Sequence, residues 1–173
     1  RNGGTYLVWR KLEQDVAGFH AFLEERRRDP DERARLSAQM MGRWPNGTPV
    51  VRHPDAQAAT TTHDANTIND FRFEAEDTHG QKCPVGSHVR RTNPRDHLNG
   101  EAGRRHRILR RGISYGGSLM PPGTNGDGEP RGLFFVALNA RIDLQFEFVQ
   151  RDWINSGEVF GRVGAGLCPL TGA

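Results

Sequence analysis

Apolar and polar positions change period several times along the chain, and each change marks an element. Thr5-Tyr6-Leu7-Val8-Trp9-Arg10 is short, β-branched and aromatic behind Gly3-Gly4, which predicts a strand. Over residues 11–28 the period becomes helical, with Leu12, Val16, Phe19 and Leu23 at i, i+4, i+7 and i+11 forming one stripe. Asp29-Pro30 ends that helix, because proline cannot continue it and disfavours helical geometry just before it. Asp31 then reads as the cap of a second helix over 32–41, with Leu36, Met40 and Met41 apolar. Residues 42–70 read as a long loop, followed by the brief Asp70-Phe71-Arg72-Phe73. A short helix is predicted over 84–91, a loop over 94–103, a strand over 106–115 and a Gly/Pro-rich excursion over 116–131. Residues 132–138 are the most hydrophobic run and predict a central strand. Ile142, Phe146, Val149 and Trp153 put one apolar face on a helix over 140–155, and beyond Gly157 the chain is glycine-rich and irregular. The order predicts an α+β domain, an antiparallel sheet covered by helices on one side.

Composition narrows the class. The length of 173 residues suits one domain, and no run approaches the roughly 20 apolar residues of a membrane-spanning helix. Cys83 and Cys168 are too few for a disulfide scaffold or a four-cysteine zinc site. The net charge of +3 hides an asymmetry: residues 81–111 carry nine basic and two acidic side chains, +7, and the remainder is −4. Nearly all of that positive charge is arginine. Such a block fits a nucleic acid, a solvated loop, or a small anionic cofactor whose carboxylates need Arg forks. Aromatics are not interleaved among these arginines, which argues against nucleic acid.

Of the chemical motifs, GxSxG, the phosphate-cradling GxxxxGK and a strand-following GxGxxG are absent, and none of the seven histidines has zinc-site spacing. Cys83 reads as a small buried side chain. The segment Cys83-Pro84-Val85-Gly86-Ser87-His88-Val89-Arg90-Arg91-Thr92-Asn93-Pro94-Arg95 stands out. Small residues on one side of His88 would let a flat cofactor approach its imidazole, a good iron ligand when neutral. An Arg three positions later would reach a carboxylate beside the ring.

That segment, 4–16, Met41-Gly42-Arg43-Trp44, the stretch Arg105-His106-Arg107-Ile108-Leu109-Arg110-Arg111-Gly112-Ile113-Ser114-Tyr115-Gly116, and 132–139 with 145–150 occur in one order. In that order they resemble the C-terminal half of the dye-decolorizing (DyP-type) haem peroxidases. The resemblance implies a ferredoxin-like antiparallel sheet covered by helices, haem b as cofactor, and hydrogen peroxide with a bulky organic donor as substrates. It implies His88 as the iron ligand and Arg110 as the catalytic arginine that stabilises negative charge as the peroxide O–O bond breaks. It further implies Arg91 as the partner of a haem propionate, with Leu133 and Phe135 as the apolar wall of the pocket. Arg110 and Arg111 alternate on a strand and so face opposite ways.

The family's distal aspartate lies in a GxxDG motif, which this chain lacks; Asp127, in Asn125-Gly126-Asp127-Gly128, stands elsewhere in the order. Glu147 and Asp152 are the candidates for a carboxylate that orients His88. Trp9, Trp44, Trp153, Tyr6 and Tyr115 are candidate electron relays, and Arg104, Arg105 and Arg107 are expected to be solvated. The start at Arg1-Asn2-Gly3-Gly4 and the stop at Ala173 read as truncation at both ends of a domain spanning 1–173. The expected partners are therefore peroxide, an organic donor, and a missing N-terminal half or a second copy, with no nucleic acid and no membrane. A haem-binding remnant without efficient turnover is the alternative. Two cysteines and no signal segment predict a reducing cytoplasm.

Overall fold

The computed structural model describes residues 3–57, 68–98, 100–117 and 128–172. The sheet consists of β1 (Tyr6–Glu13), β2 (Leu109–Arg110), β3 (Ile113–Tyr115) and β4 (Gly132–Asn139). The most hydrophobic run is the central strand, as its pattern predicts. β4 pairs antiparallel with β1 on one side, from Tyr6↔Asn139 to Glu13↔Gly132, and with β2 and β3 on the other. β2 and β3 keep a single register, since Arg110 opposes Ala137, Ile113 opposes Phe134, and between them Arg111 N–H donates to the Val136 carbonyl at 2.8 Å.

The helices are α1 (Val16–Arg26), α2 (Pro30–Met41), α3 (Phe73–Asp77), α4 (His88–Thr92), α5 (Glu101–Arg105) and α6 (Phe146–Phe148). α6 passes into a π-helix (Val149–Ile154), and a small hairpin, β5 (Glu158–Val159) with β6 (Arg162–Val163), follows. Several boundaries differ from the expectation. Leu12 and Glu13 stay in β1 because they pair with Leu133 and Gly132, and α1 starts only where the Asp15 carboxylate accepts the Gly18 N–H. Asp29, not Asp31, caps α2: its carboxylate accepts from the Asp31 and Glu32 N–H groups, and Pro30 occupies the first helical position, where a missing N–H costs nothing. The 140–155 helix begins six residues late, α5 lies in the expected loop, and much of the 116–131 excursion, with Asp127, lies outside the described residues.

α2 ends at Gly42 with φ +93, and a Cβ there would stand 3.1 Å from both Ser87 Oγ and Val89 Cβ. Glycine is thus required twice, for the left-handed backbone and for the close approach to α4.

Two apolar clusters form, and both lie in the helical layer. One joins Ala38, Trp44, Val50, Val51, Phe71, Phe73 and Cys83; the other joins Val149, Trp153, Ile154 and Cys168. Neither contains a residue of the sheet. Direct pairing places Arg10, Leu12, Arg110, Leu133 and Phe135 on one sheet face and Leu7, Trp9, Leu109, Ile113 and Phe134 on the other. The second face is open: Leu7 is 63 % exposed and Ile113 70 %. The first looks across a cleft to the helical layer. Among the described residues no helix is long and apolar enough to cross a membrane.

α3 has no cap of its own, and Asp96 supplies one from beyond α4 by accepting the Glu74 and Ala75 N–H groups, both at 3.1 Å. Burial opposes ionisation of that carboxyl, but these donors outweigh it and hold its pKa below the usual value. A depressed carboxyl stabilises the fold fully above the unfolded-state pKa of about 3.9 and ceases to do so as pH falls through its lower native value. Asp96→Ala should cost about 1 kcal/mol at pH 7. Urea titrations at several pH values should show the gap from wild type closing below that window; a gap independent of pH would contradict the capping role.

Candidate functional site

α4 opens at His88 and carries two consecutive arginines, Arg90 and Arg91, both with no solvent exposure. Buried guanidinium groups persist only when most of their donors are used; among the described residues Nε of each lacks a partner and the Nη groups carry the bonds. Arg90 turns to one side, donating to Asp77 Oδ2 at 3.0 Å and to the Asp77 and Cys83 carbonyls at 2.8 Å, with its charge over the Phe73 ring. Arg91 turns to the other, toward the C-terminal segments. Its Nη1 donates to the carbonyls of Trp153, Ile154 and Ser156 and its Nη2 to those of Ala165 and Gly166. The helix that presents His88 is therefore tied on both flanks by charge-assisted bonds.

This placement corrects the expectation for Arg91. It does not line the cleft, and its fork is occupied by backbone carbonyls. The end of a helix leaves carbonyls without partners, and Arg91 satisfies those of the π-helix while fixing the 165–168 loop. The small residues before His88 likewise serve packing: a Cβ on Gly86 would stand 3.0 Å from the Ala165 carbonyl, and Ser87 lies against Gly42 and Cys83. Cys83 is a buried free cysteine, as expected, and burial pushes its thiol pKa up.

The Arg91 clamp brings a further group to His88. Cys168 donates its N–H to the Ile154 carbonyl at 2.9 Å, and its Sγ lies 3.2 Å from His88 Nδ1. Thr171 Oγ1 donates to the same sulfur at 3.3 Å. Burial opposes ionisation of this thiol, but hydrogen bonds from His88 and Thr171 outweigh it and bring its pKa down to about 6. Neither carboxylate candidate reaches His88: Asp152 accepts from Arg151, and Glu147 is exposed on α6.

Between the sheet and this helical layer lies a cleft of about 660 Å³, within the ordinary range of small-molecule and cofactor sites. His88 lines it from α4, Arg110, Leu133 and Phe135 from the sheet, and Val149 and Ile154 from the π-helix. Four of the five predicted site residues, 47 positions apart at the extremes (135 − 88), thus share one cavity. Arg110 points inward and Arg111 to the opposite face, as strand alternation requires. Among the described residues the Arg110 guanidinium has no hydrogen-bonding or ionic partner.

The cleft is strongly cationic. Arg10, Arg95, Arg107 and Arg110 line it against one carboxylate, Glu13. Burial and the charges of Arg43 and Arg107 push the Arg95 pKa down to about 10. Among the described residues its Nε is buried without a partner, as is Oδ1 of Asn93 beside it. Arg95 Nη1 donates to the Asn69 and Phe71 carbonyls, and the guanidinium stacks 3.7 Å from the Phe71 ring. Sequence reasoning gave no site role to Arg10, Asn93, Arg95 or Cys168, and expected Arg107 to be solvated; Arg107 is exposed where it lines the cleft. Arg10 shares the strand face of Leu12, which shows only once Leu12 is seen to belong to β1. Cys168, 80 residues from His88, gave no local signal.

Of the candidate relay aromatics, Trp9 and Tyr6 are exposed on β1, whereas Trp44 and Trp153 are buried in the two clusters. Among the described residues there is no group of three or more metal-ligating side chains.

Residues 1–161 match the family described as Dyp-type peroxidase, C-terminal. The chain is 38% identical over 167 residues to the multifunctional dye peroxidase DyP2 of an Amycolatopsis species, covering 88% of this chain and 34% of that protein. It is 33% identical to peroxidase 2 of Mycetinis scorodonius, covering 98% and 36%. Among solved structures, a decolorizing peroxidase of Auricularia auricula-judae superposes with a TM-score of 0.85 at 29% identity, over 99% of this chain and 43% of that one. The chain therefore spans well under half the length of these relatives.

The clamp makes a direct prediction. Arg91→Lys should destabilise the haem-free chain by about 2 kcal/mol or more, because an ammonium cannot serve carbonyls of two segments at once. Chemical denaturation measures it, and unchanged stability would return Arg91 to a ligand-binding role.

Proposed function

Because the chain belongs to the DyP-type (dye-decolorizing) peroxidase family, we propose that its cleft holds haem b through His88 and serves the oxidation of bulky organic donors by hydrogen peroxide. The observation that carries this reading is the cleft itself. One imidazole faces it from the helical layer, an unengaged arginine faces it from the sheet, and apolar walls flank both. The donor set fits a haem. A single neutral imidazole suits iron, and a cavity lined, among the described residues, by four arginines against one carboxylate suits the two propionates.

Haem, when bound, supplies the iron at which peroxide is cleaved and the oxidising power passed to the donor. The protein's part follows from the geometry. Nδ1 of His88 is engaged by Cys168, which leaves Nε2 for the metal. Arg110 presents positive charge where negative charge develops on the peroxide, from a strand whose pairing with β4 fixes its backbone. Leu133, Phe135, Val149 and Ile154 exclude water from the reacting face. Arg95 and Arg107, with Arg10 on β1, take the carboxylate-binding task expected of Arg91. The open apolar face of the sheet supports a further protein layer packing there, since sheets of this kind bury at least one face on a core.

Two substitutions test the assignment. His88→Ala should abolish the Soret band that haem gives with the wild-type chain, and a band surviving the substitution would remove His88 from the iron. Arg110→Leu should keep the Soret band and slow peroxide-dependent dye oxidation by about 100-fold or more; an unchanged rate would contradict its role.

A further inference from the structure

The proposed function relies on the contact between His88 Nδ1 and the buried Cys168 sulfur, whichever atom carries the proton. We infer that Cys168 is the positioning residue of the candidate iron ligand: its Sγ accepts the His88 Nδ1–H, fixing the tautomer and ring plane that aim Nε2 into the cleft. The inference rests on the reading that His88 ligates iron.

Three observations assign the direction of the bond. Thr171 Oγ1 donates to the sulfur, and the backbone of Leu170 also hydrogen-bonds to it. A neutral imidazole that binds iron through Nε2 keeps its proton on Nδ1, so across this 3.2 Å contact the ring donates and the sulfur accepts. The position of the sulfur is also fixed independently of His88. Cys168 N–H is held by the Ile154 carbonyl, and that same carbonyl accepts from Arg91, whose backbone belongs to α4 together with His88. The two partners of the hydrogen bond are thus anchored to one rigid unit. Finally, the carboxylates considered for this task are held elsewhere, Asp152 by Arg151 and Glu147 at the surface.

A metal-bound imidazole needs such a group, because the acceptor on its far nitrogen sets orientation and raises basicity. A sulfur is a longer and softer acceptor than a carboxylate oxygen. Among the acceptors a side chain can offer, Cys168 therefore gives this ligand a distinctive partner, and the iron–histidine bond should report it.

The experiment uses the full chain with Cys168→Ala, Cys168→Ser and Cys168→Asp. In the haem-free proteins, nitrogen NMR of labelled histidine reads the His88 tautomer. Wild type should show a protonated Nδ1, the Ala variant should revert to the Nε2-protonated form common in water, and Asp should restore the wild-type pattern. In the haem-loaded, reduced proteins, the iron–histidine stretch should fall in Cys168→Ala and recover in Cys168→Asp. The reduction potential should rise and recover in parallel. The same tautomer and the same stretch in wild type and Cys168→Ala would overturn the inference. Ser, which preserves size and a weaker acceptor, should lie between; Ser behaving as Ala in stability but as wild type in both spectra would equally overturn it. Loss of haem uptake by wild type would overturn the ligation reading instead, and the haem-free spectra would still decide whether Cys168 sets the His88 tautomer.

Discussion

Two adjacent buried guanidinium groups, Arg90 and Arg91, are the constraint on which the site depends. Placed one residue apart on a single helical turn, they point to opposite flanks and use their donors on different parts of the chain. Arg90 pins α4 to the end of α3, where Asp77 also accepts the Gln81, Lys82 and Cys83 N–H groups. Arg91 pins it to the π-helix and the C-terminal loop. A five-residue helix has little stability of its own, so the orientation of His88 is set by these two ties. The π-helix is part of the same arrangement, because its widened last turn offers the carbonyls that Arg91 collects. Removing either arginine would loosen the ligand, the cleft wall and the Cys168 loop together.

Among the described residues, aromatic packing between the layers is confined to Phe146 of α6, whose ring meets Phe135 and Arg10 of the sheet. The helical side has two apolar clusters, while the sheet contributes to neither. One sheet face borders a cationic cleft and the other is exposed. A flat, largely apolar group with anionic edges would complete the first face, covering Leu133 and Phe135 and neutralising the crowded arginines. The depressed Arg95 pKa has the same origin: like charges are held close in a half-buried setting, and an anion there would relieve them. Binding and stability are coupled in such a design.

Much of this was legible in the sequence. The alternation over 132–138 identified the central strand, and the order of motifs identified the family and placed His88, Arg110, Leu133 and Phe135 in what proved to be one cavity. The basic block over 81–111 was compatible with a nucleic acid, a solvated loop or an anionic cofactor, and in the structure its members divide by fate. Arg95, Arg107 and Arg110 reach the cleft, Arg90 and Arg91 are internal clamps, and Arg104 and Arg105 are exposed. Local spacing cannot make that division, because whether an arginine fork meets a ligand or a carbonyl depends on segments 60 to 75 residues away. The start of α1 was misplaced for a similar reason: Leu12 fits the helical stripe, but its partner Leu133 holds it in the sheet. Cys168 looked like one of two unremarkable cysteines until folding brought it to His88.

The central claim is that the cleft between the sheet and α4 is a haem site with His88 as its iron ligand. The most direct measurement is iron-edge anomalous scattering from crystals of the chain grown with haem. The account predicts a single strong peak inside the cleft, within bonding distance of His88 Nε2. A peak outside the cleft, or one ligated by a different side chain with His88 Nε2 unengaged, would contradict it.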